Sequence, residues 1–204
     1  MIVLPLVVGL LAATMPGHTV RLTHFGAAGH GNDDTLVFQS ALNSAAAHGQ
    51  TLEIPASPVP YHVEPLEIPS NSRIIVNAGA IVQSTPGYKP FDRLLNIVNV
   101  RNVTITGTPG KSVFRMLKAE YTSSEYRHCV DIEGSSDIRI EGIAANDSGG
   151  DGLYIGAGKR GFSDHVTVRD STFDNNRRQA LSIVSGSDIT ITSREPPSSI
   201  RKAG

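Results

Sequence analysis

Four tripeptides recur from residue 95 onward: LNI at 95–97, VDI at 130–132, LYI at 153–155 and LSI at 181–183. A second set comprises SRIIV (72–76), NVTIT (102–106), DIRIE (137–141), HVTVR (165–169) and DITIT (188–192). Each is apolar-polar-apolar or close to it, the two-residue period of a strand with one buried face. The two sets keep step. Leu95 to Val103, Val130 to Ile138 and Leu181 to Ile189 are each 8 residues; Leu153 to Val166 is 13, with five residues inserted within GAGKRGFSD. Val130 to Leu153 and Val166 to Ile189 are both 23; Leu153 to Leu181 is 28, or 23 plus the same five; Leu95 to Val130 is 35, or 23 plus 12. A base period of 23 with loop insertions predicts a solenoid, whose turns cannot bury an apolar face alone and so stack on a shared core. Short strands, asparagines at turns and no intervening helices favour a parallel β-helix. A β-sandwich also has many short strands, but it does not explain the recurring 8 and 23.

Upstream, Phe38, Ala41, Leu42 and Ala45 fall at i, i+3, i+4 and i+7, which predicts a helix over Thr35–His48. Asp33 or Asp34 suits its N-terminal cap, and Gly49 its stop. The adjacent aspartates are read as capping rather than catalysis, and His30 in GHG as a turn residue. TLEIP and PLEIP end in proline and suit strand ends, with YHV a short strand between them. The uncharged run IVLPLVVGLLAA has 12 residues, short of the roughly 20 that span a bilayer. It reads as the core of a signal peptide over residues 1–17, although no Lys or Arg precedes it and no A-x-A site follows. A buried strand is the alternative. Export to the periplasm or the medium is therefore expected, with no stable membrane insertion after cleavage. The β-helix domain is placed at 18–192, incomplete at its C-terminal end. The two prolines of SREPPSSIRKAG make 193–204 an irregular tail, and the chain reads as a truncated member of its class. The net charge of −1 and the lack of a basic run argue against nucleic acid. The single Cys129 excludes an internal disulfide. Nothing in the residues sets the oligomeric state.

The stretch FGAAGHGNDDTLVFQSALNSAA resembles the opening motif of the pectate-lyase-like, right-handed parallel β-helix superfamily. GGDGLYIG and NNRRQALSIVSGSDITIT are similar to its carbohydrate-active members, polygalacturonases and rhamnogalacturonases among them. The resemblance runs from about Val20 to Thr192. It implies an all-β solenoid with a short N-terminal capping helix, and a groove on its flank for an acidic or neutral polysaccharide. It does not carry over one reaction. Where a polygalacturonase has Asn-Thr-Asp-Gly, Asp-Asp and Gly-His-Gly on successive coils, this chain has HCVDIE, GGDGLY and RRQALS. Asp131 and Asp151 can stand for the first two; the Gly-His-Gly and an epimerase's Asp-Pro-His are absent.

The register names the candidates. Asn96, Asp131, Tyr154 and Ser182 form one outward column. Arg93, His128, Asp151 and Gln179, two residues before each first strand position, form another. Burying Arg, His and Asp unpaired costs too much, so this second column is expected to face solvent at a turn. Neighbouring coils lie about 4.8 Å apart, which sets Asp151 beside His128 and Gln179, with Arg178 one residue away. Asp131, Asp147, Asp151 and Arg178 are candidates for catalysis; His128, Tyr154, Arg177 and Gln179 for substrate binding. In a hydrolase, Asp131 and Asp151, or Asp147 and Asp151, would be the two carboxylates. In a lyase, Arg178 or His128 would be the base, with Asp147 and Asp151 holding Ca²⁺. A spike or adhesin would need the groove alone. The bland reading makes Asp147 and Asp151 turn residues, and pairs Arg177 and Arg178 with Asp170 or Asp174 at the surface. The glycines of Gly149–Gly152 are expected to let a sugar approach the backbone.

Overall fold

The computed structural model describes residues 17–27 and 33–193; the apolar leader through residue 16, His30 and the tail from residue 194 lie outside the described residues. The chain winds as a parallel β-helix with three sheets. The first joins Thr19–Arg21, Thr51–Ile54, Arg73–Val76, Arg101–Thr106, Ser136–Glu141, Ser163–Arg169 and Gly186–Thr192 in chain order. The second joins Leu66–Glu67, Leu95–Val98, Val130–Glu133, Leu153–Gly156 and Leu181–Ile183. The third joins Tyr61–Val63, Ile81–Ser84, Val113–Arg115 and Ala144–Asn146. Every pairing between these strands is parallel. Crossovers between parallel strands are right-handed, because a right-twisted strand returns to its sheet only that way.

The spacing of 8 and 23 is the register of this solenoid. Leu95, Val130, Leu153 and Leu181 are Cα partners in the second sheet. Val103, Ile138, Val166 and Ile189 are partners in the first. SRIIV is the exception: Arg73 pairs with Thr104 and Ile74 with Ile105, so Ser72, not an apolar residue, stands opposite Val103. The weakened pattern hides the shift, and a shift of one residue reverses the faces of a strand. Ile75 therefore points outward, 39% exposed.

One backbone device repeats at five of the corners leading into the first sheet. Asn71, Asn102, Asp137, His165 and Asp188 have φ of 66°, 56°, 58°, 50° and 50°. Asn and Asp tolerate this left-handed conformation better than other side chains. The Asn102 amide also donates to Asn71 Oδ1 on the coil below at 2.9 Å. The third sheet carries no recurring tripeptide. Its inward positions are as different as Tyr61, Val82, Phe114 and Ala145, all buried.

The helix Thr35–Ala47 closes the N-terminal end. Phe38, Ala41, Leu42 and Ala45 are its buried face, and Phe38 meets Tyr61 edge-on at 6.3 Å. Asp33 Oδ1 accepts from the Thr35 amide at 2.9 Å, and Gly49 follows at φ 64°. The helix also satisfies the first strand edges. Gln39 bonds both backbone groups of Glu67, at 2.7 and 2.9 Å, and Thr35 Oγ1 accepts from the Glu64 amide at 2.7 Å. At the last described coil, Ile183, Val184 and Ile191 are 48%, 67% and 44% exposed.

Candidate active site

The outer face of the second sheet gathers the charged residues. Val130 and Ile132 point into the core, so Asp131 between them points out, as Asn96, Tyr154 and Ser182 do in register. It is nonetheless fully buried. Arg93 Nε lies 3.0 Å from Asp131 Oδ2, but off the hydrogen-bonding direction, so neither carboxylate oxygen receives a hydrogen bond. Burial outweighs the pull of Arg93 and pushes the Asp131 carboxyl up to about 7, with Glu133 and Glu67 adding to it. Arg93 also reaches Glu133 Oε1 at 3.5 Å.

Two residues back along each strand, the second column is buried where the sequence predicts exposure. His128 and Asp151 are 1% and 0% exposed. The cover comes from the 12 residues inserted before Val130. Arg127 stacks over the Tyr121 ring at 4.9 Å, Tyr121 packs on Gly149, and the Glu125 carbonyl on Gly150. The burial is partly satisfied. Asp151 Oδ1 accepts from the Gln179 amide at 3.0 Å, and the Asp151 amide donates to His128 Nδ1 at 2.9 Å. Asp151 Oδ2 has no hydrogen bond and lies 3.6 Å from His128 Nδ1. Burial holds His128 below the ordinary imidazole range, so the ring is neutral. Its lone pair at Nδ1 is spent on the Asp151 amide, and the proton resides on Nε2. The ring stacks on Tyr154 at 4.7 Å and 12°.

Arg178 joins this group, with Nε 3.8 Å from Asp151 Oδ1 and 3.5 Å from Glu125 Oε2. Solvent thus meets partly exposed guanidiniums, Arg93 at 22% and Arg178 at 37%, each against a buried carboxylate.

The remaining candidates fall elsewhere. Arg177 donates to the Tyr121 carbonyl, which makes it a strut for the inserted loop. Gln179 contributes its backbone amide to Asp151. Asp147 is a turn residue at φ 57°, accepts from the Asn175 amide at 2.6 Å, and lines a different cavity. That cavity, about 620 Å³, lies on the third-sheet flank with Gln83, Arg115 and Lys118. Asp147 and Asp151 therefore do not share a site, and the expected Ca²⁺ pair does not fit. Among the described residues, the group close enough to share an ion is Asp164, His165 and Asp188, where His165 and Asp164 already pair at 2.7 Å. The glycines make no room for a sugar. A Cβ on Gly149 would lie 2.5 Å from the Tyr121 ring, one on Gly150 2.5 Å from the Glu125 carbonyl, and one on Gly152 2.4 Å from Asn176. Glu125 is the residue that sequence reasoning missed, since it lies in an insertion with no repeat to register it.

A parallel β-helix with a capping helix and ionisable side chains along one sheet defines the class of fold. Solved structures share it. A family GH82 iota-carrageenase from A. fortis superposes with a TM-score of 0.72 at 20% identity, over 90% of this chain and 44% of that one. The family 28 exopolygalacturonase of Yersinia enterocolitica superposes with a TM-score of 0.55 at 16% identity, over 83% and 48%. By sequence, the chain is similar to a polygalacturonase of Malus domestica, 28% identical over 107 residues. The match takes in 50% of this chain and 23% of that protein, so the chain spans about a quarter of the relative. No protein-family model matches.

Proposed function

We propose that this chain acts on an acidic polysaccharide, of the uronate-containing kind found in pectin, as a glycoside hydrolase, and that it works outside the cytoplasm. The observation that carries the reading is the paired arrangement on the second sheet: Arg93 over buried Asp131 and Arg178 over buried Asp151. Guanidinium forks match the carboxylates and sulfates of such polymers. Asp131, with its carboxyl raised to about 7, carries a proton near neutrality and serves as the general acid for the glycosidic oxygen. Asp151, one coil on, supplies the second carboxylate that hydrolysis requires. The names of the similar proteins, a polygalacturonase and an iota-carrageenase, support a polyanionic substrate. The apolar leader supports export.

Elimination chemistry is less well served. A lyase base must accept a proton, yet the Nδ1 lone pair of His128 is occupied, and Arg178 is held between the Glu125 and Asp151 carboxylates. A binding role without turnover is the second reading, favoured by the 0–1% exposure of both carboxylates. The test is incubation of the protein with polygalacturonan and with carrageenan, reading new reducing ends and 4,5-unsaturated absorbance separately. Reducing ends without that absorbance are expected, falling at least about 100-fold in Asp131→Asn and Asp151→Asn. Binding with no product would leave the second reading standing.

A further inference from the structure

Continuing the register two residues further back gives a third column: Phe91, Tyr126, Gly149 and Arg177 lie four residues before Leu95, Val130, Leu153 and Leu181. Its first two members are aromatic. Their rings stack with centroids 5.2 Å apart at 21°, about one coil spacing. Phe91 is 64% exposed and Tyr126 49%. Leaving two large rings open to water forgoes the gain of burying them, and here nothing in the core calls for them.

The pair is tied to the ionic site. Arg93, which covers Asp131, donates to the Phe91 carbonyl at 3.2 Å. Tyr126 directly follows Glu125, the partner of Arg178. The loop carrying Tyr126 is anchored to the coil below by Ser124 Oγ on the Pro90 carbonyl at 2.7 Å and Arg127 Nε on the Tyr88 carbonyl at 3.1 Å. The stack is thus held as a fixed feature beside the arginines, spanning the coil of Arg93 and the next one.

We propose that Phe91 and Tyr126 form an aromatic platform that binds a sugar ring of the same polysaccharide chain whose anionic groups meet Arg93 and Arg178. The inference rests on the function proposed above. An aromatic ring is negative on its face and positive at its edge. The C–H bonds of a pyranose carry partial positive charge and fit the ring face that the stack leaves open to solvent, while its hydroxyls stay in water. Two rings flanked in sequence by Lys89, Asp92, Arg93 and Glu125 are too small and too charged a surface for a protein partner, which needs on the order of 1,000 Å². A polymer lying along the solenoid axis reaches platform and arginines together.

The test is calorimetric titration of oligogalacturonides and carrageenan oligosaccharides of about six sugars into the full chain, its Phe91→Leu and Tyr126→Leu variants, and Phe91→Tyr. Leucine keeps apolar bulk without a π face. Each Leu variant is expected to weaken binding about tenfold with an unchanged melting temperature, and Phe91→Tyr to retain it. Saturation transfer from protein aromatic protons should reach ring C–H protons of the wild-type ligand. Wild-type binding that survives both Leu substitutions, or binding without such transfer, overturns the platform while leaving the polysaccharide reading intact. A wild-type chain that binds neither series overturns both. If a Leu variant melts early, the transfer experiment on the wild type decides alone.

Discussion

Asp131 shows how one side chain can be read and misread. Alternation along VDI places it on the outer face, where it is. Alternation says nothing of how deeply it is buried, and that burial raises its carboxyl against the pull of Arg93. The consequence is measurable. In the unfolded chain an aspartate titrates near 3.9; in the native state Asp131 titrates near 7. Between those values the native state holds the extra proton. Its contribution to stability is fully present below about pH 4 and is lost as pH rises to about 7. Asp131→Asn removes this dependence. The melting temperature of the variant relative to wild type should therefore climb from pH 4 to 7 and level off above. A constant difference across that range would show that the carboxyl is not raised. His128 acts with the opposite sign, since its lowered value costs stability as pH falls below about 6.5. It is common to both proteins and cancels in the comparison.

At the scale of elements, the capping helix does two jobs. Its apolar stripe closes the core, which the i, i+3, i+4, i+7 spacing makes legible. Its polar residues Thr35 and Gln39 satisfy strand edges, which spacing does not reveal, because the partners Glu64 and Glu67 lie 29 and 28 residues away. Gln39→Ala removes two hydrogen bonds to the backbone of Glu67. A loss of about 1–2 kcal/mol is expected in urea unfolding, against about 3–5 kcal/mol for Phe38→Ala in the core. A neutral Gln39→Ala would mean that water replaces the cap without cost. The second and third sheets make a similar contrast. The second repeats a Leu/Val-x-Ile pattern that is legible in the sequence. The third puts a tyrosine, a valine, a phenylalanine and an alanine at equivalent inward positions, and only the stacking reveals them as one sheet.

Across the whole molecule, stability is expected to be graded. The middle coils bury Val103, Ile105, Ile132, Ile138, Ile140, Leu153 and Ile155 almost completely, whereas Ile183, Val184 and Ile191 stand 44–67% exposed. Amide exchange should be slowest in Val130–Glu133, Ser136–Glu141 and Leu153–Gly156. It should quicken through Leu181–Ile183 and Gly186–Thr192, because local opening exposes less buried surface there. Uniform protection would show that the solenoid opens as one unit.

Sequence alone determined the solenoid, its period, the register of its first two sheets over four coils and the helix at its start. Each follows from local periodicity that every coil must satisfy to share a core. It also brought Asp131, His128, Asp151 and Arg178 to one flank, since stacking at fixed register turns sequence spacing into neighbourhood. Tertiary structure decided what those neighbours became. The inserted loop carries Glu125 and Tyr126 over the second sheet, buries His128 and Asp151 and fills the hollows at Gly149 and Gly150, while Asp147, at the turn after the third sheet, lines another cavity. An insertion has no repeat to place it, so its packing, and the pKa shifts and solvent access that follow, depend on contacts between residues far apart in the chain.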